Sequence, residues 1–131
     1  MKIYEKMTPQ QAWDFVQARQ TRKYIGLDIL DIRRVFLEGN EVTLLTYYLE
    51  QDKTVIETIN ENMSEILQYA TKAKSLMVQL YFGKDFTLGI EEVNKLLTIV
   101  NSTSDNVQLT WGVEHTASTE FQLQICIFII I

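Results

Sequence analysis

The stretch FTLGIEEVNKLLTIVNSTSDNVQLTWGVE, residues 86–114, changes its apolar period halfway along. Ile90, Val93, Leu97 and Val100 recur every three or four residues, which predicts a helix. The polar run NSTSDN at 101–106 cannot continue that helix and reads as a loop. Val107, Leu109, Trp111 and Val113 then alternate, which predicts a strand with one buried face. Immediately upstream, SLMVQLYF at 75–82 places Leu76, Val78, Leu80 and Phe82 on one face of another strand. Gly83, Lys84 and Asp85 form the turn between strand and helix. A strand, a helix and a strand in this order favour a right-handed crossover.

The same reasoning extends outward. DKTVIETINENMSEILQYATKA, residues 52–73, carries a stripe of Ile56, Ile59, Met63, Ile66, Leu67 and Ala70 and predicts the strongest helix. EVTLLTYYLE, 41–50, is rich in β-branched and aromatic residues and predicts a strand. In GLDILDIRRVFLEGN, 26–40, Asp28 caps a helix with Ile29, Ile32, Val35 and Phe36 in register, ended by Glu38, Gly39 and Asn40. Thr8, Pro9 and Gln11 form a capping signature that opens a helix running to about residue 20. Its apolar face is thin, with Ala12, Trp13 and Val16 and Phe15 beside them. The final EFQLQICIFIII, 120–131, alternates at first and then becomes apolar on both sides, which predicts a central strand.

After the first helix the order is α, β, α, β, α, β, β. This predicts an α+β open sandwich: a mixed sheet of about four strands, two main helices on one face, and N-terminal helices in addition. No linker divides the chain, so 1–131 reads as one domain, with 1–27 as N-terminal helix and connecting loop and 28–131 as core. The hydrophobic share of 47% suffices for one core without metal or disulfide. The formal net charge of −5 argues against a nucleic-acid partner, which needs clustered Lys and Arg. Arg19, Arg22, Lys23, Arg33 and Arg34 instead read as a solvated face. Cys126 is the single cysteine; its apolar setting predicts a buried, inert thiol. Neither a leader nor a membrane-spanning run of about 20 apolar residues is present, so the expectation is a cytoplasmic protein without membrane contact.

Candidate chemistry is sparse. His115 is the one histidine and cannot by itself make a catalytic triad or a zinc site. If the strand continues, Glu114 points to the opposite side from His115. Glu91 and Glu92 are adjacent on a helix and diverge, and Asp85 can cap that helix turn. Trp13 and Trp111 read as packing residues. The expectation is no catalytic residue, no metal and no cofactor. Tyr47, Tyr48 and Tyr81 all lie on predicted strands, and some must face away from the helices. An exposed aromatic sheet face would be an interaction surface.

The order of elements resembles the C-terminal domain of the tubulin/FtsZ superfamily. The resemblance covers residues 24 to 128. Asp85-Phe86-Thr87-Leu88 stands at the family's Asp-hydrophobic-Ser/Thr-Leu turn, Glu92-Val93-Asn94 on its Glu-Val-rich helix, and Gly112 in its glycine-bearing strand. The family's loop Asn-Leu-Asp-Phe-Ala-Asp-Val is matched by Gly26-Leu27-Asp28-Ile29-Leu30-Asp31-Ile32, with both aspartates at the same spacing and Gly26 in place of the asparagine. The resemblance implies a core sheet order of 1-4-2-3, with the last strand central; a hairpin of the last two strands is the competing arrangement. It also implies that Asp28 and Asp31 reach the nucleotide of a neighbouring subunit. Both aspartates can equally be helix-terminal acids, a role worth ~0.3–1 kcal/mol.

The chain departs from the family in lacking a Gly-rich phosphate loop. Its five glycines, at 26, 39, 83, 89 and 112, are too scattered to make one. The expected function is a non-catalytic interaction or assembly module, with an FtsZ-like protein or a second copy as partner. It would act through Asp28 and Asp31 or through an open sheet face bearing Tyr47, Tyr48 and Tyr81. The alternative is a small-molecule binder or enzyme of chorismate mutase-like topology, with a site between subunits. That site would need Arg residues converging on carboxylates, and the four arginines fall in the N-terminal third.

Overall fold

In the structure, a computed structural model, residues 2–18, 24–26, 34–50, 52–84, 86, 89–101, 108–116 and 120–131 are described. The elements in chain order are β1 (Lys2–Met7), α1 (Pro9–Ala18), β2 (Tyr24–Gly26), β3 (Val42–Tyr48), α2 (Val55–Glu61), α3 (Met63–Ala70), β4 (Ser75–Phe82), α4 (Ile90–Asn101), β5 (Gln108–His115) and β6 (Leu123–Ile130). They form an α+β fold around one mixed sheet of six strands, ordered β1-β3-β6-β4-β5-β2. No helix among the described residues is long and apolar enough to cross a membrane.

The two-sided apolar run at the C-terminus becomes β6, which lies between β3 and β4 and is antiparallel to both. All of its residues are buried. β4 and β5 are parallel, as their helical crossover demands. Counting only β3, β4, β5 and β6, the order is 1-4-2-3. The hairpin alternative fails because β4 separates β5 from β6.

Two strands exceed the expected four. KIYEKM, not read as a strand, pairs along its length with β3, from Lys2 opposite Tyr47 to Met7 opposite Val42. Tyr24–Gly26 pairs with β5 at the other edge. Both are short edge strands whose conformation is set by pairing with a neighbour more than by their own pattern.

Sheet pleating divides the core. On the first face Leu45, Tyr47, Val78, Leu80, Ile125 and Ile127 meet Val55 and Ile59 of α2, Ile66 and Ala70 of α3, and Val93 of α4. On the second face Val42, Leu44, Met77, Cys126, Phe128 and Ile130 meet Ala12, Trp13 and Val16 of α1 together with Val35 and Phe36. Residues 34–37 are helical. Phe128 is the meeting point: Phe15 and Phe36 both pack on it in T-shaped pairs, at 5.8 Å and 5.1 Å between centroids. The N-terminal helices therefore close the second face, and among the described residues the open sheet face expected from the sequence does not exist. The start of the predicted helix, with Asp28, Ile29 and Ile32, lies outside the described residues.

Local signals account for the helix boundaries. The Thr8 hydroxyl accepts from Gln11 N at 3.1 Å, and Thr8 N donates to Gln11 Oε1 at 2.9 Å, which is the reciprocal capping box read from the sequence. Thr54 caps α2 by accepting from Glu57 N. The long helix expected over 52–73 is broken at Asn62, whose φ of −106° and ψ of 8° leave the helical region. The Asn62 amide donates instead to Thr58 O at 2.7 Å. The break rotates the stripe, so Ile59 and Ile66 are fully buried while Leu67 is exposed.

Ile59, Val78 and Ile125 are all fully buried, whereas the side chain of Leu97 lies outside those described. Ile59→Ala is expected to cost about 2–5 kcal/mol in urea unfolding, the range for truncating a packed aliphatic side chain. A loss under about half a kcal/mol would contradict the packing of α2 on the sheet. Cys126 is fully buried in the central strand. Its thiol should react with a native-state thiol reagent no faster than the chain unfolds, and rapid labelling would contradict the placement of β6.

Candidate functional site

The carboxyl ends of β3, β4 and β5 and the amino end of β6 lie at the same end of the sheet. Here the pleat lines up polar residues on the second face. Tyr48 pairs with Gln124, Gln124 with Tyr81, and Tyr81 with Glu114. Gln79 lies two residues further into β4 on the same face. Tyr81 and Gln79 are 0% exposed and Glu114 is 1%, so this row belongs to the interior. Glu114 and Gln79 are the polar residues that sequence reasoning missed. Strict alternation through VQLTWGVE already placed Glu114 opposite Val113; what it could not give was burial of that second face.

Two clefts open at this end. One, of about 260 Å³, lies between the end of β3 and α2 and is lined by Tyr47, Tyr48, Glu50, Lys53, Glu61 and Asn62, with Thr58 beneath. The other, of about 300 Å³, is lined by Tyr48, Leu49, Glu120 and Phe121. Lys53 Nζ lies 2.7 Å from Glu61 and 3.5 Å from Glu50. These are solvent-exposed pairs of little stabilising value. The wall bearing Phe121 is held by Gly83: its N–H donates to Gln122 O at 2.7 Å, and a Cβ at that position would collide with the carbonyl oxygen of Phe121.

The residues expected to carry interaction separate. Tyr47 turns to the first face and is 1% exposed, its hydroxyl donating to Glu65 Oε1 at 2.8 Å. Burial, and then the neighbouring Glu65, hold this phenol well above its ordinary range. Tyr81 faces α1 and is fully buried. Neither forms an exposed aromatic face, because helices cover both sides of the sheet. Tyr48, the last residue of β3, is half-buried and stands between the two clefts. Asp28 and Asp31 lie outside the described residues, as do Arg19, Arg22 and Arg33. His115 closes β5 opposite Phe82. Among the described residues, no three His, Cys, Asp or Glu side chains come together as a metal site.

No protein-family model matches the chain, and no curated protein matches it. Solved structures do. An empty FtsZ dimer structure of M. jannaschii superposes with a TM-score of 0.66 at 18% identity, over 88% of this chain and 34% of that one. The W319Y mutant of M. jannaschii FtsZ gives a TM-score of 0.55 at 17% identity, over 81% of this chain and 32% of that one. The chain thus spans about a third of the length of these neighbours. The fold is like that of an FtsZ C-terminal domain.

The Tyr47–Glu65 bond predicts an alkaline signature. The folded chain keeps the Tyr47 proton above the ordinary phenol value of 10.0, where the unfolded chain releases it. Its contribution to stability is therefore constant below about pH 10 and falls as pH rises beyond it. Tyr47→Phe should cost about 0.5–1.5 kcal/mol at neutral pH. Its urea midpoint should also decline less steeply than wild type above about pH 10. Equal slopes would mean that Tyr47 is not shielded.

Proposed function

We propose that this chain works as a non-catalytic protein-interaction or assembly module, in the manner of an FtsZ C-terminal domain. The observation that carries this reading is the FtsZ-like arrangement over 88% of the chain, reached without a Gly-rich nucleotide loop in its 131 residues. Fold likeness alone does not assign a function. The reading is supported further by the aspartate spacing of Asp28 and Asp31, which resembles the family loop that docks on a neighbour. The M. jannaschii FtsZ that superposes over 88% of the chain is itself a dimer. The partner proposed here is an FtsZ-type protein, or a second copy of this chain. Docking would run through that loop onto the partner's nucleotide face.

Two measurements test the proposal. Calorimetry of the purified chain with GTP should give no heat of binding; micromolar affinity without a partner would sink the non-nucleotide reading. Mixed with an FtsZ from the same cell at equal concentration, the chain should change both sedimentation and phosphate release. Asp31→Ala should abolish that change while the melting curve stays nearly constant. If Asp31→Ala only lowers stability by about 1 kcal/mol, the aspartate is a helix-terminal acid and docking through it is wrong.

A further inference from the structure

The sheet ends on β1, which pairs with β3 and, among the described residues, with no other strand. In an antiparallel ladder, alternate residues turn their N–H and C=O groups away from the partner strand. Along its six residues, or ~20 Å, β1 therefore leaves one edge of main-chain donors and acceptors to water. Two devices that blunt such an edge, proline and a bulge, are absent. KIYEKM holds no proline, and its register runs unbroken from Lys2 opposite Tyr47 to Met7 opposite Val42. The opposite end of the sheet is β2, with three residues only.

Two side chains mark this edge. Tyr4 stands opposite Leu45 and so lies on the first face. It is 42% exposed, and its ring packs on that of Tyr69 of α3 at 5.3 Å between centroids. Glu5 alternates to the second face, is exposed, and has no ion pair among the described residues. Lys6 already has Glu41 at 3.9 Å, so Glu5 is the charge that an arriving strand would meet. Charge also decides between occupants. Two copies joined by this edge about a twofold axis must set one residue opposite itself. Centred on Tyr4, the pair sets Lys2 across from Lys6; centred on Glu5, it sets Glu5 against Glu5. Like charges directly opposite destabilise a ladder. Centres nearer either end leave at most half of the strand paired. The edge therefore fits a strand of another protein better than a second copy of this chain.

We propose that β1 accepts an extended segment of another protein as an added antiparallel strand, in which a basic residue opposite Glu5 immediately precedes an apolar residue opposite Tyr4. Main-chain N–H and C=O groups of the segment bond the outward groups of β1 and supply the affinity. Antiparallel pairing is the more stable per residue. The apolar side chain packs on the Tyr4 ring that Tyr69 backs, a favourable cross-strand pair when it is β-branched. The basic side chain meets the Glu5 carboxylate, and the chain's formal charge of −5 adds attraction for it. This surface is separate from Asp28 and Asp31, and the proposal does not rest on docking through them.

The test titrates the full chain, 15N-labelled, with the blocked hexapeptide Thr-Thr-Lys-Val-Thr-Thr. Amide shifts should centre on residues 2–7 and reach Tyr69, and the outward amides of β1 should exchange more slowly as peptide is added. Replacing the peptide lysine by glutamate should weaken binding about tenfold, and Glu5→Lys in the chain should restore it to within about twofold. Glu5 is exposed, so that variant keeps the fold, and an unchanged spectrum away from β1 verifies this. Methylating alternate peptide nitrogens reads the main-chain bonds: one alternating set should abolish binding, and the other should leave it within about twofold. Equal loss from both sets, shifts centred away from β1, a charge swap without rescue, or no shift at the solubility limit would overturn strand addition. Self-association of the chain alone that blocks the peptide would overturn the choice of a foreign strand. The titration contains no FtsZ-type protein, so its outcome is independent of the co-sedimentation result.

Discussion

A strand that is apolar on both sides has to be covered on both sides, and β6 is that strand. All eight of its residues are buried. Full burial of one large aliphatic side chain is worth ~1.5–3 kcal/mol, so this strand outweighs any single cap or ion pair in the chain. Placing it between β3 and β4 satisfies its main-chain groups on both edges. The crossover from β4 to β5 then falls on the far side, and the order 1-4-2-3 follows. The same strand explains why α1 docks despite its thin apolar face: Phe15 and Phe36 both converge on Phe128, a β6 residue that would otherwise meet water.

The core was legible from its sequence because period and capping act locally. The shift from helical spacing to alternation after residue 100, and the Thr8–Gln11 box, can be read without knowing the fold. What could not be read is phase between strands. Alternation says that Tyr47 and Tyr48 face opposite ways, but not which way each turns, because that depends on the register of β3 against β6 and of β6 against β4. The register puts Tyr47 under α3 and Tyr81 under α1, so two of three tyrosines left the surface. The break at Asn62 escaped for a related reason: an asparagine is tolerated within a helix until its amide finds a carbonyl such as Thr58 O. The edge strands escaped because pairing, not pattern, makes them.

The buried polar row on the second face constrains the sheet further. Gln124, Tyr81 and Glu114 sit side by side across three strands, each at most 4% exposed. Slipping β6 by one residue would turn Gln124 and Cys126 into the first-face core and bring Ile125 and Ile127 to the polar side. A buried amide or carboxylate in the wrong layer costs several kcal/mol, so this row selects one register from an isoleucine-rich strand that would otherwise tolerate several.

That selection also sets the surface. Because register is fixed, Tyr48 must lie on the second face, opposite Gln124, and as the last residue of β3 it is only half-buried. Gly83 allows the segment carrying Phe121 to cross the end of β4 and lie against that ring. Of Tyr47, Tyr48 and Tyr81, the one left half-buried is therefore held in place by a buried glutamine and an aromatic neighbour. A ring held in this way is already ordered, so it has little side-chain conformational entropy left to lose on any further contact.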